Sequence, residues 1–427
     1  MPSSRSTRRS TVDRPETTLE TTQQRRIALG TTVVGIAAFI LIATWLVPWS
    51  PVQGGAPSPV AADSVFSAAQ LERAEDYSRW ARVWSWSSLV VSLAVTCWFG
   101  FTARGRRLAD RMPGRWWLQV VLVVTALDVI ARLVTLPLGV AYRRLQLDAG
   151  LSTSSWPAWT FDLVKGEVVD VATTSIAVVG IVGIARRWPR AWPAVAGGLL
   201  AVFVFAASFV YPLVVEPLFN SFTPLEDGPL RAQILALADE EGVEVDEVLV
   251  ADASRRTTTL NAYVSGYGGS RRVVVYDTLI DDLRDEQVLS VVAHELAHAR
   301  HDDVLVGTSL GGAGALVGVG LLGLLAGVAE RRGRPGVDEV GAVPMILALA
   351  AIAMVLASPV QNGISRQIET RADVDALRAT NAPQPFVALQ RRLAIRSLAD
   401  PTPPGWSQWW FGSHPTVLER IAIARSR

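Results

Sequence analysis

The chain has 427 residues, with 40 Lys and Arg against 39 Asp and Glu, 4 His, one Cys and a net charge of +1. Half of it is hydrophobic and 19% is charged, below the roughly 25% of soluble domains, which excludes a disordered chain, and the charge balance carries no nucleic-acid signature. One Cys excludes disulfide frameworks, iron–sulfur clusters and cysteine-based zinc sites within one chain; Cys97, inside an apolar run, is expected to be a small buried hydrophobe.

Residues 1–26 are polar, Arg-rich and aperiodic, and read as a disordered tail. Seven apolar runs follow, each near the ~20 residues that cross a bilayer core. They lie at Ile27–Val47, Val83–Ala103, Trp116–Tyr142, Gly166–Ala185, Trp192–Val215, Val304–Ala329 and Val343–Gly363. The first is too long for the apolar core of a signal peptide and reads as an uncleaved helix. The fourth carries Glu167 and Asp170 in its expected first turn. Trp45, Trp49, Trp80, Trp84, Trp116, Trp117, Trp188 and Trp192 fall at or near the expected ends, where indoles favour the headgroup level. Gly307, Gly311, Gly314 and Gly318 put small residues on one side of the sixth run, where a neighbouring helix could approach closely. Asp128 and Arg132, one turn apart in the third, are expensive in lipid; an intrahelical ion pair or a functional role would explain them equally.

If all seven runs cross, the amino tail shares a side with the loops around Arg104–Arg115, Arg186–Arg190 and Arg331–Arg334, a total of 17 arginines. The opposite short loops carry six basic residues, Arg73, Arg79, Arg82, Arg143, Arg144 and Lys165. The positive-inside rule then makes the amino tail cytoplasmic.

Two long polar segments remain, Glu216–Asp303 and Ile364–Arg427, on one side of the membrane. The first opens with a helical pattern over Leu230, Ile234, Leu235, Leu237 and Ala238, ending at Gly242. Strand-like runs follow at Glu247–Asp252, Leu260–Ser265 and Arg272–Asp277, the last two joined by Gly266–Ser270 as a hairpin. A helix then starts near Arg284 and could run on into the sixth span.

That helix contains Val291-Val-Ala-His-Glu-Leu-Ala-His298. Two His at i and i+4 share one helical face and can reach one metal ion, with Glu295 placed to act on a water there. Zinc usually takes three protein ligands at a catalytic site, so one is missing. His301 lies on the same side, but three ligands over two turns suit one tetrahedral ion poorly. Glu369, just after the seventh span, is the better candidate. Asp373, one turn on, can hold the tautomer of a ligand His. His414, in Gly412-Ser-His-Pro415, is by default a surface His; in a wet active site it becomes an oxyanion donor. Trp406–Phe411 reads as an interfacial belt or, less simply, as a partner anchor.

These residues together resemble the CAAX prenyl protease type 1 family, integral-membrane zinc metalloproteases of the gluzincin kind. The resemblance rests on the spacing of the spans, Glu216–Leu225, Asn261–Tyr263 through Tyr276–Ile280, and His294-Glu-Leu-Ala-His298. It also rests on Ser365-Arg366 through Ala372-Asp373, and on Ser413-His-Pro415. It implies one zinc ion per chain held by His294, His298 and Glu369, with Glu295 as catalytic base. It further implies Asp373 behind the ligands, His414 and Arg420 facing substrate, and Asn261, Ala262 and Tyr263 on a strand beside it. The expected fold is mainly α: a multi-pass membrane protein whose seven or so helices enclose a chamber, with a gluzincin-like domain bearing a small β-hairpin or sheet.

The domains expected are a five-helix membrane domain over 27–215 and a metalloprotease domain over 216–427 that includes the last two spans. The expected activity is endoproteolysis of membrane-associated or lipid-modified peptides in the cell membrane, with peptide and bilayer as partners and no nucleic acid. A quality-control protease for misfolded membrane proteins is a rival, and a transporter with a structural metal a more distant one. The resemblance implies catalysis toward the cytosol, opposite to what the arginine distribution implies.

Overall fold

The computed structural model describes residues 15–266, 268 and 271–427. Residues 1–14 of the expected tail, and Tyr267, Gly269 and Ser270 of the expected turn, lie outside the described residues. Helix α1 (Pro15–Leu46) starts well before its apolar run, so residues 15–26 are helical where a tail was expected. Pro15 suits a first helical position, and no Gly or Pro interrupts the sequence until Gly30, so the span propagates its helix backward.

Next come α2 (Ala68–Phe101), the short α3 (Ala103–Asp110), α4 (Trp116–Asp148), α5 (Trp156–Arg187) and α6 (Trp192–Val210). A π-turn over Tyr211–Val215 leads into α7 (Glu216–Phe219). The Ser155 side chain caps α5, with Pro157 in its first turn, so Glu167 and Asp170 sit in mid-helix instead of the first turn. Arg132 reaches across to Glu167 of α5, Nε to Oε2 at 2.6 Å, so its ion pair is interhelical, where an intrahelical one with Asp128 was one reading. Cys97 is half-buried, less enclosed than expected.

The polar segment folds as α8 (Pro229–Glu240), α9 (Asp277–Asp282) and α10 (Asp285–Arg300) around a four-stranded sheet of β1 (Phe222–Pro224), β2 (Glu247–Ala251), β3 (Ala262–Ser265) and β4 (Arg272–Tyr276). The strand order is β1-β2-β4-β3. The β3–β4 hairpin is antiparallel as expected, whereas β2 runs parallel to β4 and β1 pairs antiparallel with β2. A three-residue strand ending in Pro224 gives no periodic signal, which is why β1 is absent from the sequence reading.

The chain returns to the membrane through α11 (Asp303–Arg331) and α12 (Val343–Thr380), then closes with α13 (Pro383–Ser397), α14 (Gly405–Phe411) and α15 (Val417–Arg425). α10 does not run into α11: Asp302, at φ 52°, breaks the helix between them. Among the described residues, seven helices are long and apolar enough to cross a membrane, those beginning at Thr22, Ala68, Trp116, Trp156, Trp192, Asp303 and Val340.

Buried apolar side chains of the membrane helices collect at one end. Val120, Val124, Val182, Trp192, Leu322 and Ile346 belong to a cluster there, beside the basic loops. Trp192 is thus a core residue, while Trp45, Trp49, Trp80, Trp117 and Trp188 stay exposed at span ends. Toward the other end, the buried membrane cluster is confined to α1, α11 and α12, with Ala43, Leu310 and Ile364. α11 packs on α1 through Gly320, where an added Cβ would clash with Thr32 Oγ1; a Cβ added at Gly307, Gly314 or Gly318 would meet no other part of the protein within 4 Å. The expected glycine stripe is therefore open for most of its length.

The second core lies outside the spans. Ile234, Val248, Val273, Leu279, Phe386 and Leu389 pack around α10. The α4–α5 connection joins the two regions: Thr153 N donates to Arg256 O, Thr258 N to Leu151 O, and Arg256 pairs with Asp162 at 2.7 Å.

Candidate metal centre

α10 buries Val288, Val292 and Leu296, spaced four apart, against the sheet. The periodicity then turns His294 and His298 to the far side, toward α12. α12 continues past its apolar part without a break and carries Glu369 there. The three donors converge: His294 Nε2 lies 3.2 Å from His298 Nε2 and 3.2 Å from Glu369 Oε2, and His298 Nε2 lies 3.6 Å from Glu369 Oε1. Three donors each ~2.1 Å from a tetrahedral ion stand ~3.4 Å apart, so the spacing fits a metal ion. Glu369 Oε2 is buried without a hydrogen bond, an arrangement that costs free energy unless a cation completes it. The donor set of two imidazoles and a carboxylate therefore fits a bound divalent metal.

Two Asp–Arg pairs stand behind the imidazoles. Asp373, fully buried, lies 3.0 Å from His294 Nδ1, and Arg420 grips it with two bonds, the Nε bond at 2.7 Å. Asp303 lies 2.9 Å from His298 Nδ1 and is held by Arg371. The sequence reading missed Asp303 and Arg371; the only local signal is an acidic residue just past the helix that bears His294 and His298. Arg420, expected to face substrate, is directed at Asp373 behind His294. His301 turns away, with Nε2 2.9 Å from Asp375 Oδ2, and takes no part in the cluster.

Glu295 sits between the two His in sequence and shares the field of both imidazoles, Glu369 and Arg420. Desolvation pushes its carboxyl above the ordinary glutamate range, and the imidazoles oppose this. His414 is not an isolated surface residue: its Nε2 lies 3.3 Å from Glu369 Oε2, and Ser413 Oγ is 2.9 Å from its Nδ1.

The loop that carries His414 is held by α12. Pro359 has no N–H, so the carbonyl four residues earlier, on Val355, lacks its helical donor. Trp410 Nε1 donates to that carbonyl at 3.2 Å. One and two turns on, Asn362 donates to Trp410 O, and Arg366 donates to Gln408 O and Gly412 O. Trp406 and Phe411 pack on Trp86 of α2, with ring centroids 4.7 and 5.4 Å apart. Trp406–Phe411 is thus a brace between α2 and α12, beyond the belt expected of it.

β3 is an edge strand against α10. Ala262 is buried, Asn261 is exposed, and the Tyr263 hydroxyl lies 3.4 Å from Glu216. The residues expected at the site are carried by α10, α12, the α14–α15 loop, α15, and β3 with Asn261 just before it.

Residues 224–427 match the model of peptidase family M48, and residues 53–221 match CAAX prenyl protease N-terminal, five membrane helices. The chain is 30% identical to an uncharacterized metalloprotease, YhfN, of Bacillus subtilis (strain 168), over 72% of this chain and 74% of that one. It is 30% identical to a CAAX prenyl protease 1 homolog of Oryza sativa subsp. japonica, over 66% and 67% of the two chains. The crystal structure of S. mikatae Ste24p superposes with a TM-score of 0.75 at 21% identity, covering 96% of this chain and 99% of that one.

Proposed function

The chain belongs to peptidase family M48, as an integral multi-pass metalloprotease of the CAAX prenyl protease type, and on that premise we propose that it is a zinc endopeptidase of membrane-associated or lipid-modified peptides. The observation that carries this reading is the convergence of His294, His298 and Glu369 beside Glu295. Three protein ligands leave a fourth position open, as hydrolytic zinc sites require and structural zinc sites do not. Zinc bound there would supply a Lewis acid that polarises the scissile carbonyl and acidifies a water toward a pKa of ~7.

The remaining work falls to the chain. Glu295 takes a proton on its carboxylate from the attacking water and returns it to the leaving nitrogen. When the Ser413 hydroxyl donates to His414 Nδ1, it fixes the tautomer with a proton on Nε2, which can donate to the carbonyl oxygen as it gains charge. Asn261, Ala262 and Tyr263 lie on a free sheet edge, where a peptide can add as a further strand and hold its bond in register with Glu295. The scarcity of buried apolar side chains between α2, α4, α5 and α6 toward the protease end supports a chamber there. The matched regions meet near residue 222, in keeping with a membrane domain over 27–215 and a protease domain over 216–427; the cell membrane is the proposed location.

Glu295→Gln should keep zinc and slow turnover by about 10²–10⁴-fold. Membranes from cells carrying wild type or this variant, compared by proteomics, should show peptides uncut only in the variant; identical peptide sets would reject the assignment. Accumulating fragments of misfolded membrane proteins would assign quality control instead of processing.

A further inference from the structure

Nothing in the sequence pattern singles out Asp303, and its helix position gives it an ordinary role: an acidic residue in the first turn of α11 interacts favourably with the helix dipole. The geometry points to more. We propose that Asp303 is a positioning residue for the metal centre, fixing the ring of His298 as Asp373 fixes that of His294; this rests on the zinc reading above.

Three observations converge on it. The Asp303 carboxylate is almost fully buried, with its side chain 8% exposed, and such a group is costly unless its partners are in place. Oδ2 lies 2.9 Å from His298 Nδ1, so it accepts the Nδ1 proton and leaves the Nε2 lone pair facing Glu369 and His294. Oδ1 is held by Arg371, which projects from α12 two residues after Glu369. The neighbouring pair has the same composition, with Arg420 holding Asp373 beside His294 Nδ1. Each imidazole is thus backed by a carboxylate that a guanidinium holds in turn.

The placement depends on the break at Asp302. A helix running straight on would put residue 303 about 140° from His298 around the axis, on a different face. The left-handed turn at Asp302, with Arg271 bonded to its carboxylate at 2.7 Å, folds Asp303 back against the imidazole. Asp303 is also the first residue of the sixth span, so the metal centre gains a fixed connection to α11 as well as to α12.

The test is zinc affinity of the full-length, metal-stripped protein in detergent, measured by competition with a chromophoric chelator. It is run beside the thermal midpoint of the metal-free form. Asp303→Ala should weaken zinc binding about 10–100-fold. Asp303→Asn should fall between it and wild type, because the amide oxygen still accepts from Nδ1. A dipole or purely structural role would instead lower the metal-free midpoint and leave zinc affinity in place. Affinity of Asp303→Ala within twofold of wild type overturns the inference; should that variant fail to fold, wild-type affinity of Asp303→Asn does so. His298→Ala is the control: if it too binds zinc as wild type does, the metal reading itself has failed, which separates the two outcomes.

Discussion

Asp282, at the end of α9, is gripped by two guanidiniums, Arg392 Nε at 2.7 Å and Arg396 Nε at 3.0 Å, both from α13. The Arg392 hydrogen bond leads the effects that hold its carboxyl down at about 2, against the resistance of burial. A carboxylate depressed in the folded state stabilises the protein above its ordinary pKa near 4, and that contribution is lost as pH falls toward 2. Because both guanidiniums are partly exposed and screened, the contribution is about 1–2 kcal/mol. Asp282→Asn should therefore lower the thermal midpoint in detergent at pH 7 and flatten its decline between pH 4 and 2. Parallel pH profiles for the two proteins would count against it. This is a residue whose importance no local pattern discloses, since its partners lie 110 and 114 positions away. His294 and His298 are the opposite case: their spacing alone places them on one helical face.

Among the elements, three membrane helices run well past their apolar stretches on the protease side. α2 begins at Ala68 where the apolar run begins at 83; α5 begins at Trp156 instead of 166; α12 continues to Thr380 instead of 363. Hydropathy marks where lipid ends, and the helices continue because the protease domain supplies new surfaces to pack on. Ser78 of α2, for example, donates to Leu398 O beyond α13. The α12 extension is what places Glu369 and Asp373. α14 depends on the same helix through the carbonyl that Pro359 frees. Trp410→Phe keeps the ring and removes the donor, leaving that carbonyl unpaired at a cost of about 1–3 kcal/mol. Limited proteolysis should then cut faster between residues 398 and 416, with the α1–α6 region unaffected; an unchanged digestion pattern would show that the brace does not depend on this bond.

At the scale of the whole molecule, the three basic loops meet at one end. Arg334 donates to Gly100 O and Phe101 O, and Arg186 donates to Asp338 O, while the protease domain occupies the other end. If all seven candidate helices cross, the protein's two ends face opposite sides, and the arginine bias then predicts a cytoplasmic amino end. In a Cys97→Ser background, Ser426→Cys should label with a membrane-impermeant maleimide in intact cells, and Ser10→Cys only after permeabilisation. The reverse pattern would overturn the charge argument; labelling of both from one side would overturn seven spans. By itself the sequence determined the number of spans, the α10 motif and the β3–β4 hairpin, because each is written in short-range periodicity of one segment. Tertiary structure alone decided that Arg420 grips Asp373 and that Asp303 turns back onto His298. Those contacts join side chains from separate helices, or across a helix break, where no repeat along the chain records which faces will meet.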